Sequence, residues 1–322
     1  MSDLDPQRLQ NQALIPADMA GERVDKVAAQ LFAEFSRAEL TRWINDGALT
    51  LDGDVIKPKY KVFGGESLVL NGQREHKEDW HNAQPIALDI LYEDEDIIVV
   101  NKSPGLVVHP GAGNADGTLV NAILHHRPTL SQLARAGIVH RLDKDTSGIM
   151  VVAATPRAYR HLVKAISDRA VNRRYVAVCE GVMIAGQEVN QPIGRDPKLR
   201  TRQVVRSDGK PAQSRVRVRE RYRAHSAVDV TLGSGRTHQI RVHMQSIGYP
   251  LVGDVKYGCR RVLPRGASSE TVALLQQFPR QALHAFRLEF VHPGSARKLS
   301  FTAPIPSDLA ALMDSLATDA KG

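Results

Sequence analysis

The densest run of polar residues lacking helical or strand period is Gly137-Ile138-Val139-His140-Arg141-Leu142-Asp143-Lys144-Asp145-Thr146-Ser147-Gly148. Apolar Ile138-Val139 lies on one side and an apolar run from Ile149 on the other, so the carboxylates fall at a strand end beside a turn, where function tends to be mounted. A carboxylate there can act as a nucleophile or a base. Read alone, each of these charges is equally compatible with an ordinary loop. A second cluster, Gly233-Ser234-Gly235-Arg236-Thr237-His238-Gln239-Ile240-Arg241, has glycines followed by a helix start dense in hydrogen-bond donors.

Three other chemistries fit less well. Asp145-Thr146-Ser147-Gly148 is close to the Asp-Thr-Gly of aspartic proteases, but its glycine comes one residue late and no second copy supplies the other carboxylate. Gly111-Ala112-Gly113 with Gly117 is off by one from a dinucleotide loop and reads as a turn after His109-Pro110. His125-His126 and His238 with His243 include no i,i+4 pair with a carboxylate ligand nearby, so no metal site is expected.

These clusters need elements to hold them. Residues 1–18 have no clear periodicity and are expected to form a flexible arm. Residues 19–71 read as a small domain. Val24, Val27, Ala28 and Leu31 recur at helical spacing, and Ser36-Arg37-Ala38-Glu39 reads as a capping box for a second helix with Leu40, Trp43 and Ile44 as its stripe. Strands at Leu49–Leu51 and Ser67–Leu70 follow, with an Asp52-Gly53 turn. Residues 72–85, polar and charged, read as a linker.

From 86 to 306 the pattern changes to strands with interspersed helices. Ile97–Val100 and Ile149–Ala154 are continuous apolar runs suited to strands covered on both faces. Thr155-Pro156 starts a helix with a cap and a proline at its first position. Val176–Cys179, Val216–Tyr222, Val228–Leu232 and Phe286–Phe290 read as strands, Thr237–Gln245 as a short helix, and 307–322 as a C-terminal helix or tail. Hairpin-like pairs outnumber strand–helix–strand units, so the fold class expected is α+β with a largely antiparallel mixed sheet.

The 322-residue chain carries a formal net charge of +8, which favours polyanionic partners. Residues 195–223 hold eleven Lys/Arg and three Asp/Glu, a net +8 that equals the whole excess. Arg215, Arg217, Arg219, Arg221 and Arg223 alternate with apolar Val216, Val218 and Tyr222, so a regular strand would line one face with guanidinium groups suited to phosphate contact. Cys179 and Cys259 have neither zinc nor disulfide-scaffold spacing. No apolar run approaches the roughly 18 residues of a membrane helix, and no signal segment opens the chain. A cytoplasmic protein is expected.

His140-Arg141-Leu142-Asp143 followed by Asp145-Thr146-Ser147-Gly148 resembles the signature of the pseudouridine synthases that modify large-subunit ribosomal RNA and related RNAs. The resemblance continues in Asn101-Lys102, Val108-His109-Pro110, Arg173-Arg174-Tyr175, Gly209-Lys210-Pro211-Ala212, the run from Gly235 to His243, and Pro250-Leu251-Val252-Gly253-Asp254. Residues 19–71 resemble the S4 RNA-binding domain through Glu22-Arg23-Val24-Asp25, Ser36-Arg37 and Asp52-Gly53. Together the match spans roughly residues 20–305. One departure is Ser103-Pro104, the reverse of the family's usual order.

The resemblance implies the pseudouridine synthase fold and an isomerase that breaks a uridine's N-glycosidic bond, rotates the uracil and rejoins it through carbon, without cofactor or metal. Asp143 matches the family's essential aspartate. Arg241 matches the arginine that pairs with it, holding it ionised and aimed. Tyr175 matches the tyrosine that packs against the target uracil and can assist proton movement. Arg141 matches an arginine near the displaced nucleotide, whose base must leave its stack. Further RNA contacts are expected from Arg23, Ser36, Arg37 and Arg42, and from Arg217 and Arg219 of the arginine ladder. The expected partner is 23S ribosomal RNA or a large-subunit precursor, at the helix 69 stem-loop, met by a monomer away from any membrane. A non-catalytic assembly factor is the alternative from another class, but pure binding needs no such conjunction as Asp143, Tyr175 and Arg241. The same chemistry on another ribosomal site or on transfer RNA is the third.

Overall fold

A computed structural model of the chain describes residues 8–32, 35, 37–73, 82–111, 114–199 and 201–321. The chain divides into two compact units, 1–79 and 80–322.

In the first unit, strand β1 (Arg8–Leu14) precedes helices α1 (Val24–Leu31) and α2 (Arg37–Asn45) and strands β2 (Leu49–Leu51) and β3 (Ser67–Gln73). The antiparallel sheet runs β1-β3-β2. The helical stripes read from the sequence bury Val24, Val27, Ala28, Leu40, Trp43 and Ile44 against Leu49, Leu68 and Leu70. The expected arm is corrected here. Residues 8–14 pair with β3 in continuous register from Arg8↔Gln73 to Leu14↔Ser67. Gln10, Asn11 and Gln12 interrupt any apolar alternation, so this edge strand is held by backbone ladder bonds that leave no side-chain period to read. The Ser36 capping box lies outside the described residues.

The second unit contains β4 (Ile90–Glu93), β5 (Ile97–Lys102), α3 (Leu119–His126), β6 (Ser147–Ala153), α4 (Pro156–Ser167), β7 (Asn172–Glu180), β8 (Gln187–Asn190), β9 (Ile193–Arg195) and β10 (Gln203–Val205). Then come β11 (Gln213–Arg221), β12 (His225–Leu232), α5 (Gln239–Ser246), α6 (Ser269–Gln277), β13 (Leu283–Val291), β14 (Lys298–Thr302) and α7 (Ser307–Lys321). The large sheet runs β4-β5-β6-β13-β7-β12-β11-β8, with β14 on β13. Among the described residues only β6 and β13 pair in parallel, so the fold is α+β with a mostly antiparallel mixed sheet.

Both faces of this sheet are covered, which explains the continuous apolar runs. One face buries Ile98, Val100, Met150, Val152, Tyr175, Ala177, Val228 and Val230 under α3 and α5. The other buries Ile97, Val99, Ile149 and Val151 under Ala158 and Leu162 of α4. Farther along that second face, Val176, Val178 and Ala227 meet Leu309, Leu312 and Leu316 of α7, each such leucine contributing roughly 1.5–3 kcal/mol. Thr155 caps α4 as read, accepting from the Ala158 N–H at 3.1 Å. Helix α3 escaped the sequence reading because six of its eight residues are buried, leaving no one-sided stripe.

The linker limits shift as well. β3 continues through Gln73, and Asn82 and Gln84 already belong to the second unit, bonded to Asn121 of α3 and the Gly117 N–H. Among the described residues no helix is long and apolar enough to cross a membrane.

Candidate active site

Asp143 stands in the tight turn before β6, where its carbonyl accepts from the Thr146 N–H at 3.1 Å. Three side chains pin this turn. Lys102, buried at the end of β5, donates Nζ to the carbonyls of Lys144 at 2.8 Å and of Ser103 and Leu106 at 2.9 Å. Arg280 gives Nη1 to the Asp145 carbonyl at 3.1 Å while gripping Asp308 at 2.7 and 2.9 Å. Gln281 donates to Thr146 Oγ1 at 3.0 Å. The three ammonium protons of Lys102 are thus satisfied without a carboxylate. Burial pulls its pKa down to about 7, against the upward pull of Asp145 and Asp143. The same ammonium spans the turn holding the reversed Ser103-Pro104 pair. Behind Asp143, Gly148 has φ +117° where β6 meets β13, and a Cβ there would stand 2.2 Å from the Ala285 carbonyl oxygen. Only glycine fits.

Helix α5 supplies the opposing half. The Gln239 side chain accepts from the Arg236 N–H and the Ser234 hydroxyl and donates to the Gln213 carbonyl and Ser214 Oγ, tying the glycine turn to β11. Arg241, one turn into the protein, donates Nη1 to Asp143 Oδ2 at 3.1 Å. Its Nε and Nη2 donate to Asp254 at 2.7 and 2.8 Å, and the Tyr257 ring lies 4.9 Å from the guanidinium. Side-chain exposure rises outward along this line, from 1% at Asp254 through 9% at Arg241 to 16% at Asp143. Burial works against the Arg241 charge, but Asp254 and Asp143 more than offset it and hold its pKa above the ordinary value.

His238, in the left-handed conformation at φ 56°, brings Nε2 to 3.9 Å from Asp143 Oδ1. Its Nδ1 meets the Tyr257 hydroxyl at 2.6 Å, and that hydroxyl already accepts the Gln203 N–H at 2.9 Å. In the tautomer whose Nδ1 accepts the hydroxyl proton, Nε2 carries the ring proton and faces Asp143. Burial lowers the His238 pKa although Asp143 opposes it, which keeps the ring neutral at pH 7. Tyr175, on β7, is buried and lines the same cleft. Burial raises its pKa, with Arg173 opposing and Asp143 reinforcing, so the phenol stays protonated.

The cleft measures roughly 1170 Å³, room for an unstacked nucleotide. Asp143, Tyr175, His238 and Arg241 line it, with exposed Arg141, Lys144, Arg236 and Lys256 at its edge. It presents an aimed carboxylate against a fixed cation, beside an aromatic platform. Among the described residues no group of three His, Cys, Asp or Glu could hold a metal.

Asp143, Tyr175, Arg241 and Arg141 are therefore brought together in the second unit, whereas Arg23, Arg37 and Arg42 belong to the first. Arg23 and Arg37 both pair with buried Asp25 at 2.8 Å. Burial raises the pKa of that carboxyl, but the two arginines prevail and hold it below the usual range. Arg42 is exposed on α2, and Ser36 lies outside the described residues.

The arginine ladder is corrected. A bulge between Val218 and Glu220 reverses strand parity, so Arg221 falls on the face of Val216 and bonds the carbonyls of Met183 and Ile184. Arg217 pairs with Asp229, which pairs with Val176, placing Arg217 on the face opposite Tyr175. Arg219 is held by Asp229 at 3.1 Å and over the Phe286 ring. Neither Arg217 nor Arg219 reaches the cleft. Sequence reasoning gave no role to Asp254, His238, Tyr257, Lys102, Arg280 or Gln281. A lone charge after the apolar Pro250–Gly253 run was the available signal for Asp254.

The family of RNA pseudouridylate synthases matches residues 96–246, and the S4 domain matches residues 22–68. The chain is 50% identical over 300 residues to ribosomal large subunit pseudouridine synthase D of Vibrio parahaemolyticus, covering 93% of this chain and 92% of that protein. It is 49% identical over 319 residues to the protein of the same name from Pseudomonas aeruginosa, covering 99% and 98%. Among solved structures, human RNA pseudouridylate synthase domain containing 4 superposes with a TM-score of 0.55 at 25% identity, covering 71% of this chain and 92% of that one. Human RNA pseudouridylate synthase domain containing 1 gives 0.53 at 26% identity, covering 69% and 85%.

Proposed function

The chain belongs to the RNA pseudouridylate synthases, isomerases acting on RNA, and we propose that it converts uridines of 23S ribosomal RNA to pseudouridine through Asp143. The observation that carries this is the Asp143–Arg241 pair, a carboxylate aimed into a cleft beside Tyr175 by an arginine with no other freedom. The reaction exchanges the N1–C1′ bond for a C5–C1′ bond. The proton on C5 leaves as N1 gains one, so nothing is added or lost. Whether the carboxylate bonds to C1′ or removes a ribose proton, it must be ionised and held within reach of the sugar. Arg241 and the neutral His238 N–H serve that end. Tyr175 packs against the uracil and bounds its rotation.

The substrate follows from the relatives' names, and its finer assignment is the helix 69 stem-loop, with more than one uridine modified, in support of large-subunit assembly. The protein works in the cytoplasm as a monomer without cofactor. A site that takes an unstacked uracil reads little sequence beyond it, so selectivity must come from loop shape and backbone contacts. Arg141, Lys144, Arg236 and Lys256 at the cleft, and the S4 domain, are suited to that. The test is a pseudouridine map of ribosomal RNA from cells lacking this protein. Loss from the helix 69 loop is expected. Retention there with loss at another site would overturn the substrate and leave the enzyme class standing.

A further inference from the structure

Strand β7 carries a second cation on the face that bears Tyr175. Arg173 precedes Tyr175 by two residues, so both side chains leave the strand on the same side, about 7 Å apart along it. Arg173 is 5% exposed and lines the cleft. Among the described residues nothing accepts a hydrogen bond from its guanidinium, and its Nε is buried without a partner. The other buried arginines of the site differ. Arg241 has Asp254 and Asp143, and Arg280 has Asp308 and three carbonyls.

A guanidinium is charged at every working pH and presents five donors. Burying one without an anion is strongly unfavourable unless a ligand later supplies the partner. The glycine turn packs close beside it, since a Cβ on Gly235 would stand 2.7 Å from Arg173 Nη1, and the space open to a ligand is the cleft that Arg173 lines. A neutral acceptor such as a uracil carbonyl would leave the charge unbalanced, whereas RNA brings one anion per nucleotide.

We propose that Arg173 is the receptor for a backbone phosphodiester of the RNA adjoining the target uridine. It rests on the reading that Tyr175 meets the target uracil, because the shared face and spacing then place Arg173 about one nucleotide away. Uracil and phosphate are gripped from one strand, which would keep the nucleotide drawn into the cleft while its base turns.

The test uses the full chain, Arg173→Met, Arg173→Lys and a helix 69 stem-loop transcript, with affinity measured across a salt series. The slope of log affinity against log salt should be shallower by about 0.7–0.9 in Arg173→Met and restored in Arg173→Lys. The melting temperature of free Arg173→Met should be no lower than that of wild type, since an unpaired buried charge has been removed. An unchanged slope in Arg173→Met, or a melting temperature lowered in both variants, would return Arg173 to a structural role and overturn the proposal. Tritium release by wild type on the same transcript tests the underlying reading separately. Release with unchanged slopes sinks the phosphate subsite alone, and no release sinks the reading of the substrate.

Discussion

Asp254 holds Arg241 by both carboxylate oxygens, which leaves one guanidinium nitrogen, Nη1, turned toward Asp143. The direction of the Asp143 carboxylate is thus set by a residue that never reaches the cleft mouth. Asp254→Asn should lower stability by about 3 kcal/mol or more, because a buried cation loses its principal counter-charge. Turnover at saturating RNA should fall with little change in KM. Urea denaturation and single-turnover rates check both, and an unaltered rate would show that Arg241 is oriented by other contacts.

Asp143→Asn should abolish pseudouridine formation while leaving the fold and RNA affinity nearly unchanged. The side chains are isosteric, and only the charge facing Arg241 and the ribose is lost. The measurement is tritium release under single-turnover conditions beside a binding isotherm. Retained release would remove Asp143 from the chemistry.

His140 accepts the Val151 N–H on Nε2 at 3.1 Å, and burial pulls its pKa down to about 3, with Arg173 adding to the shift. The folded value lies below the ordinary 6.5, so the unfolded chain takes up the proton first on acidification. The stabilisation is complete above pH 6.5 and is lost as pH falls toward 3, at no more than about 1.4 kcal/mol per pH unit. His140→Gln keeps an acceptor for Val151 but cannot protonate. Its unfolding free energy should fall less steeply between pH 6.5 and 4 than that of wild type, and equal slopes would count against this account.

Removing residues 1–79 should leave a folded catalytic unit, since the chain divides into two compact units there. That unit should still convert uridine but require more RNA, because the S4 domain contributes affinity and not chemistry. A soluble fragment inactive at saturating RNA would contradict this division of labour.

The sequence alone determined the features that depend on neighbours a few residues apart. Thr155-Pro156 announced α4, the apolar runs announced β5 and β6, and the motif around Asp143 marked one half of the site. Tertiary structure decided what depends on register and on distant partners. Arg241 meets Asp143 across 98 positions, a pairing that the resemblance implied and no local spacing describes, and only the fold puts Asp254 behind it. One extra residue at Arg219 turned an even arginine alternation into side chains on two faces. Arg23, Arg173 and Arg219 are chemically identical, yet one serves a buried carboxylate, one has no acceptor among the described residues and one lies over Phe286. Charge and periodicity are local properties of a chain. Pairing is a property of the space in which distant segments meet.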